Sequence, residues 1–332
     1  MISRKALVVG IDYYANMKPL YGCVNDAYSV KSVLDRNGNG TINFSVNLIT
    51  STGADSAINR KQLKEKVQEL FCDDCEIALF YFAGHGYIES TGGYLITSDC
   101  EDGDDGFPLN DLLSILNTSK VKNKIIILDS CHSGIAGTPN EVDNNAVLSE
   151  GVTILTASSA KQYASENNGS GVFTTLLVDA LSGGGSNLVG EITPGSVYAH
   201  IDQSLGPWEQ RPIFKTNVKN FVSLRNVNPP IQLSDLKRII ELFENVGDEF
   251  ELNPSFEPDS GRMCPICKEH SGIEQPNEEN MDKFALLQKY NRVNLVIPIG
   301  EEHMYYAAMN SKTCKLTALG IHYWNLVKNE RI

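Results

Sequence analysis

The 332 residues predict an α/β protein, a mostly parallel six-stranded sheet flanked by helices, followed by a small α+β domain. Three observations carry that expectation. Short β-branched or aromatic runs recur along the first two thirds of the chain and end abruptly in small residues, as buried parallel strands do. Helical spacing of apolar residues fills the gaps between them, the alternation that covers both faces of a sheet. The composition then shifts at Asn226-Val227-Asn228-Pro229-Pro230. The expected division is a first domain over 1–225, a linker over 226–232 and a second domain over 233–332.

Taken in order, strands fit Ala6–Ile11, Phe44–Thr50, Ile77–Phe82, Ile125–Leu128, Val152–Ala157 and a short run near Pro212–Lys215. Helices fit Asn25–Leu34, Arg60–Phe71, Asn110–Leu116 and Phe173–Leu181. Gly92-Gly93, with Tyr94-Leu95-Ile96 after it, reads as a hairpin. Glu101–Gly106, nearly all acid and glycine, and the small polar stretch Gly134–Leu148 read as loops. Beyond the linker, Leu236, Ile239, Ile240 and Phe243 recur at helical spacing behind Ser234 as N-cap. A further helix fits Met281–Tyr290. Leu295–Ile299 and Met304–Ala308 alternate around Gly300-Glu301-Glu302, and a terminal helix follows Thr317 with Leu319, Tyr323 and Leu326 on one face. That order is similar to a winged-helix unit, on the strength of the hairpin and Leu316-Thr317-Ala318-Leu319-Gly320 alone.

A hydrophobic content of 42% in a chain of this length can bury a large core. No run of eighteen apolar residues occurs, and Met1-Ile2-Ser3-Arg4-Lys5 leads straight into a strand instead of a signal peptide, so a soluble cytoplasmic protein is expected. Eight cysteines over this length do not make a disulfide framework. The net charge of −13 is spread over both parts: residues 1–228 carry 17 basic and 25 acidic side chains, residues 229–332 carry 11 and 16. Neither part concentrates the lysines and arginines that phosphate backbones require, so nucleic acid is not an expected partner, and neither is a membrane.

The chemistry gathers at two strand ends. Cys131 sits in Asp129-Ser130-Cys131-His132-Ser133-Gly134, directly after the run Ile125–Leu128. His85 sits 46 residues upstream in Ala83-Gly84-His85-Gly86, directly after Ile77–Phe82. Strands deliver such residues to the carboxyl edge of a sheet, and a thiol meeting an imidazole there makes a nucleophile with its general base. A thiol near its usual pKa of about 8.5 is only a few per cent ionised at neutral pH, so the base is needed. Isolated, the two residues would read as a buried structural thiol and a turn histidine; their flanking motifs favour catalysis.

Five segments agree in order, spacing and strand context: Ala6-Leu7-Val8-Val9-Gly10-Ile11-Asp12-Tyr13-Tyr14, then Leu20-Tyr21-Gly22-Cys23-Val24-Asn25-Asp26-Ala27, the His85 and Cys131 segments, and Thr153-Ile154-Leu155-Thr156-Ala157-Ser158. Over roughly residues 5–225 the chain resembles a caspase-fold cysteine peptidase of the C14 type, nearest the metacaspase and bacterial caspase-like branch. The resemblance implies a His85/Cys131 dyad with an oxyanion hole made by the backbone N–H groups of Gly86 and Cys131. It also implies a pocket for the residue before the scissile bond, lined by Asp26 and Asp129 with Cys23 beside them. Ala83 stands where the family usually has Ser, which removes a hydroxyl from that pocket but not its charge.

Two carboxylates in one cleft select a cation and repel an acid, so cleavage of protein substrates after Arg or Lys is expected. Enzymes of this fold that cut after Asp need arginines in the pocket, and between Lys5 and Lys31 the only basic residue is Lys18. Asp26 also has a plainer reading as an acid in the first turn of a helix. No Lys or Arg lies between Gly134 and Gly151, where related enzymes are often processed, so a basic-specific enzyme is expected to work as one uncut chain; an acid-preferring one would find Asp143.

The chemistry itself needs no cofactor. Many metacaspases require calcium, and Asp99, Glu101, Asp102, Asp104 and Asp105 offer oxygen ligands without the EF-hand spacing. A solvated acidic loop is the plainer reading. Cys264-Pro265-Ile266-Cys267 with His270 resembles half a zinc site that Cys314 or His303 would complete, while Cys72-Asp73-Asp74-Cys75 abuts a core strand. The second domain is expected to bind a protein partner and to control the peptidase, as in the defence and regulated-death systems that such appended modules resemble. Two rivals stand beside this: a catalytically silent caspase-fold adaptor, opposed by the intact His85 and Cys131, and a winged-helix regulator, opposed by the acidic second domain.

Overall fold

β-branched and aromatic runs set the frame of the first unit in the computed structural model, which describes residues 3–89, 92–130, 148–157, 166–167, 170–206, 211–258 and 276–332. The described chain falls into two compact units, Met1–Asn228 and Pro229–Ile332. In the first, β1 (Arg4–Ile11), α1 (Cys23–Leu34), β2 (Ser45–Ser51), α2 (Arg60–Cys72) and β3 (Ile77–Ala83) lead to a small antiparallel ribbon of β4 (Gly86–Glu89), β5 (Gly92–Leu95) and β6 (Phe107–Pro108). There follow α3 (Leu109–Thr118), β7 (Asn123–Asp129), β8 (Val152–Thr156), β9 (Glu166–Asn167), β10 (Ser170–Gly171) and α4 (Val172–Asp179), which runs on into a π-helical turn at Ala180–Gly184. The unit closes with β11 (Glu191–Ile192), α5 (Pro194–Ser204), β12 (Ile213–Asn217) and β13 (Arg225–Asn226).

One six-stranded sheet in the order β12-β8-β7-β3-β1-β2 organises this unit. All its pairs are parallel except β12 with β8. Every residue of β3 is buried, and alternate side chains serve opposite faces. Phe80 and Phe82 join Leu63, Val67 and Phe71 of α2 and Leu112 and Leu116 of α3. Ile77, Leu79, Tyr81 and Ala83 join Ala27, Val30 and Leu34 of α1, Phe173 and Leu177 of α4 and Val197 and Ile201 of α5. Ile125 and Ile127 of β7 belong to that second face too, and Asp129 continues their alternation. Gly10 lets α1 lie close on the sheet: a Cβ there would stand 2.4 Å from the Cys23 carbonyl oxygen and 2.8 Å from Ala27 Cβ.

The expected hairpin after His85 forms as the antiparallel β4–β5 pair, with its two glycines inside the second strand. Glu89 pairs with Gly92 and Ile88 with Gly93, so both glycines lie in β5 and the chain reverses before them. The helix α5 was not legible from apolar spacing. It is set by a Thr193 cap that accepts from the Ser196 N–H, with Pro194 in its first turn.

The second unit comprises α6 (Leu233–Lys237), α7 (Ile239–Leu242), β14 (Glu249–Glu251), α8 (Glu278–Arg292), β15 (Val296–Ile299), α9 (Met304–Met309), β16 (Thr313–Leu316) and α10 (Ala318–Lys328). Its sheet has the order β14-β16-β15 and is antiparallel throughout. Phe243, Phe284, Leu287, Tyr290, Leu295 and Cys314 are fully buried, and Trp324 Nε1 donates to the Phe243 carbonyl at 2.7 Å.

Four expectations need correction here. Met304–Ala308 is helix, not strand: Met304, Ala307 and Ala308 are buried at positions i, i+3 and i+4, a helical face that five residues of sequence also let pass as alternation. The strand that meets β15 is β16, with α9 between them, so the hairpin behind the winged-helix resemblance does not form. The run after Ser234 breaks at Arg238 into two short helices, and α6 is entered from Gln232 without a side-chain cap. In α10 the buried face is Gly320, Tyr323, Trp324 and Val327, while Leu319 is exposed.

Candidate active site

Adjacent strands β3 and β7 end in register, Ala83 opposite Asp129, and Gly84 N–H still donates to the Asp129 carbonyl at 3.3 Å. His85 follows, half-buried, two residues beyond the paired Ala83. Its main chain and ring are both held by the loop after β1. The Tyr14 hydroxyl accepts from the His85 N–H at 2.8 Å, and the Tyr14 ring lies 4.7 Å from the imidazole, tilted by 50°. The ring Nε2 of His85 lies 2.8 Å from the Lys18 carbonyl oxygen. A carbonyl only accepts, so Nε2 carries the proton and Nδ1 the lone pair. Burial, with the nearby Cys23, keeps the Tyr14 phenol well above its usual pKa, so it stays neutral beside the histidine.

The same loop also holds the start of α1. Asp12 Oδ1 accepts from the N–H groups of Cys23 at 2.9 Å and Val24 at 3.3 Å, fixing the first turn of α1. Cys23 opens that helix and is buried; Asp26, three residues on, is 3% exposed. Its Oδ2 accepts from the Gly171 N–H at 2.9 Å. Asp129, the last residue of β7 and 8% exposed, accepts at Oδ2 from the Thr174 hydroxyl at 2.6 Å. The Tyr81 hydroxyl lies 2.6 Å from Thr174 Oγ1.

A Cβ on Gly171 would stand 2.5 Å from Asp129 Oδ2 and 3.2 Å from Asp26 Oδ2, so both carboxylates converge on one backbone position. Burial and then the charges of Asp129 and Asp26 push the Tyr81 phenol well above its ordinary pKa. Ala83 is buried at the end of β3 and adds no polar group.

A caspase-domain family matches residues 3–222, about two thirds of the sequence. The chain belongs to this family. Within the curated caspase-domain relatives, Metacaspase-1 of Candida albicans is 27% identical over 166 residues, 44% of this chain and 37% of that protein, so the chain spans little more than a third of its length. Among solved structures, a Geobacter sulfurreducens protein superposes with a TM-score of 0.50 at 16% identity, covering 68% of this chain and 100% of that one. Caspase-1 of Spodoptera frugiperda gives 0.49 at 14%, covering 68% and 91%. The C14 peptidase family and the sheet thus agree with the sequence expectation.

Not every site residue falls within the described caspase domain. Cys131 lies just outside the described residues, the last before it being Ser130. Gly86 begins β4 opposite Leu95. Tyr14, Tyr81, Gly171, Thr174 and the Lys18 carbonyl were missed from sequence; only the Phe173-Thr174 start of an apolar helix hinted at one of them.

Side chains of the acidic stretch take local hydrogen-bond partners. Asp99 Oδ1 accepts from Thr97 Oγ1 at 2.6 Å and from the Arg60 N–H at 3.3 Å, and Asp105 Oδ2 accepts from the N–H groups of Glu101 and Asp102. Asp102 and Asp104 belong to the same 3₁₀ turn, which packs on the Tyr87 ring through Gly103. Among the described residues no three His, Cys, Asp or Glu side chains form a metal-binding group. Cys264, Cys267 and His270 lie outside the described residues. Of their suggested partners, Cys314 is fully buried in β16, its thiol pushed up to about 12 by burial. His303 is exposed. Among the described residues no helix is long and apolar enough to cross a membrane.

Proposed function

We propose that this caspase-domain chain is a cysteine endopeptidase that cleaves protein substrates after arginine or lysine with a His85/Cys131 dyad. One observation carries the reading: Ala83 and Asp129 are paired on adjacent parallel strands, and His85 and Cys131 each follow their partner by two residues in sequence. In the proposed reaction Nδ1 of His85 takes the thiol proton of Cys131, and the thiolate attacks the scissile carbonyl carbon. The developing oxyanion meets the N–H groups of Gly86 and Cys131; such a donor contributes roughly 3 kcal/mol. The imidazolium returns its proton to the leaving amine, and water activated by the same nitrogen hydrolyses the thioester. The Lys18 carbonyl supports this cycle by fixing the tautomer with Nδ1 as base.

Asp26 and Asp129 supply the basic preference, with Cys23 and Ala83 beside them. The support is their convergence on Gly171, since two buried acids placed together favour a cation between them. Residues 229–332, a separate compact unit with an excess of acidic side chains, are the part proposed to receive a regulatory protein partner.

The test offers fluorogenic peptides ending in Arg, Lys, Asp or Glu to the purified protein, with calcium and with chelator. Turnover after Arg and Lys, retained in chelator and abolished in Cys131→Ala and His85→Ala, is expected. Cleavage after Asp would overturn the pocket assignment, and an active Cys131→Ala the mechanism.

A further inference from the structure

One turn of one helix holds both acids. Gly171, the N-cap of α4, gives its N–H to Asp26 Oδ2 at 2.9 Å, and Thr174, within the first turn, gives its hydroxyl to Asp129 Oδ2 at 2.6 Å. The Thr174 hydroxyl donates in that second bond, so its oxygen is left to accept from the Tyr81 hydroxyl 2.6 Å away. Tyr81 is fully buried in β3, next to β7, and its phenol is held neutral by burial, so it remains a donor. The sequence Tyr81 to Thr174 to Asp129 is therefore a one-way chain of hydrogen bonds. It ties a central strand, a helix and the carboxylate at the end of a second strand.

We propose that Thr174 is the positioning residue that makes the pocket select arginine over lysine. This deepens the reading of Asp26 and Asp129 as the acids of a cation-accepting pocket and rests on it. A guanidinium is a planar fork that needs carboxylate oxygens in set directions, whereas an ammonium is a compact charge with rotatable donors that tolerates acids turned either way. Holding one oxygen of each acid from a single helical turn fixes the two carboxylate planes relative to each other. Without the Thr174 hydroxyl, Asp129 keeps its place on β7 but loses the bond that directs its Oδ2. The loss falls on the ligand that needs the angle.

The experiment uses the full chain with matched aminomethylcoumarin peptides ending in Arg or Lys, comparing wild type with Thr174→Val, Thr174→Ser and Tyr81→Phe. Thr174→Val should lower kcat/KM for the Arg peptide about tenfold, mainly through KM, and for the Lys peptide less than threefold. Thr174→Ser, which keeps the hydroxyl, should restore the Arg-to-Lys ratio. Tyr81→Phe, which leaves Thr174 in place, should lower the ratio about threefold and covers the case in which Thr174→Val does not fold.

Calorimetric titration of benzamidine, a planar amidinium, and of n-butylamine into Cys131→Ala, with and without Thr174→Val, reads the same preference without turnover. An unchanged ratio in Thr174→Val or Tyr81→Phe, or an equal loss for both cations, overturns the role of Thr174. A wild-type enzyme that cleaves after neither Arg nor Lys, with neither cation bound, overturns the basic-specificity reading itself.

Discussion

The hydroxyl of Tyr14 accepts the backbone N–H of His85 at 2.8 Å, so the proposed general base is anchored through its main chain by a residue of the loop after β1. The loop that contributes Tyr14 also contributes the Lys18 carbonyl to the other end of the histidine, and Asp12 at its head caps α1. Base and pocket therefore share one support. A disturbance of the loop should register in both kcat and KM, whereas a disturbance of a single bond should register in one.

Tyr14→Phe tests the single bond. The ring that faces the imidazole is kept, and only the acceptor for the His85 N–H is lost. A buried donor without a partner costs about 1–3 kcal/mol, which the chain can relieve by shifting His85. The expected outcome is a roughly tenfold fall in kcat at nearly constant KM, equivalent to about 1.4 kcal/mol in the barrier. Steady-state kinetics with an Arg peptide decide it; an unchanged kcat would mean that His85 is placed without Tyr14.

Gly10→Ala tests the shared support. The new methyl would meet the Cys23 carbonyl and Ala27 Cβ, backbone and a short side chain that cannot swing aside. The helix α1 must then lift off the sheet, carrying Cys23 and Asp26. Overpacking of this kind costs about 1–3 kcal/mol. Denaturant unfolding should show that loss, and KM for basic substrates should rise several-fold. A variant of full stability with wild-type KM would contradict the close approach.

What the sequence made legible here follows from periodicity. Alternation in Ile77–Ala83 and Asn123–Asp129 sends Tyr81, Ala83 and Asp129 to one face, and abrupt strand ends mark where His85 and Cys131 belong. Asp26 was reached through the family resemblance, since on its own it reads as an acid in the first turn of a helix. Thr174 was not legible, because a threonine among Phe173, Leu176 and Leu177 reads as helix interior, and its partners are 93 and 45 residues away. The Lys18 contribution is a carbonyl, which every residue has and no motif announces. In the second unit the elements are short, and a stretch such as Met304–Met309 satisfies two periodicities until tertiary burial chooses between them.

Cys314 makes the second unit sensitive to alkali. Its thiol is pushed from 9.0 up to about 12 by burial, so the folded state keeps the proton when the unfolded chain has released it. For an acid whose folded pKa is raised, the unfolded state binds fewer protons above its own pKa, and stability falls as pH rises. The contribution is intact below pH 9.0 and is lost between there and about 12, by about 1.4 kcal/mol per unit. Tyr290, also raised by burial, adds to the loss only above 10.0. Unfolding of the second unit followed between pH 8 and 10 should therefore steepen from about pH 9, and Cys314→Ala should remove that first limb. An unchanged slope in Cys314→Ala would assign the alkaline loss elsewhere.

The absence of Lys and Arg between Gly134 and Gly151 predicts how the active enzyme behaves on itself. Where the described chain resumes after β7 it is tied down at once. Lys124 Nζ donates to the Glu150 carbonyl at 3.0 Å, Asn217 Nδ2 to the Leu148 carbonyl at 2.8 Å, and Gly151 N–H to the Asn217 carbonyl at 2.8 Å. These bonds help to hold β8 between β7 and β12. An enzyme that requires a basic residue before the scissile bond finds none there, so prolonged incubation should leave the 134–151 segment intact, as peptide mapping would show. A new N-terminus at Asn144 would mean cleavage after Asp143, and the acid pair of the pocket would then have to be read as structural caps for α4 instead of as the selector of a cation.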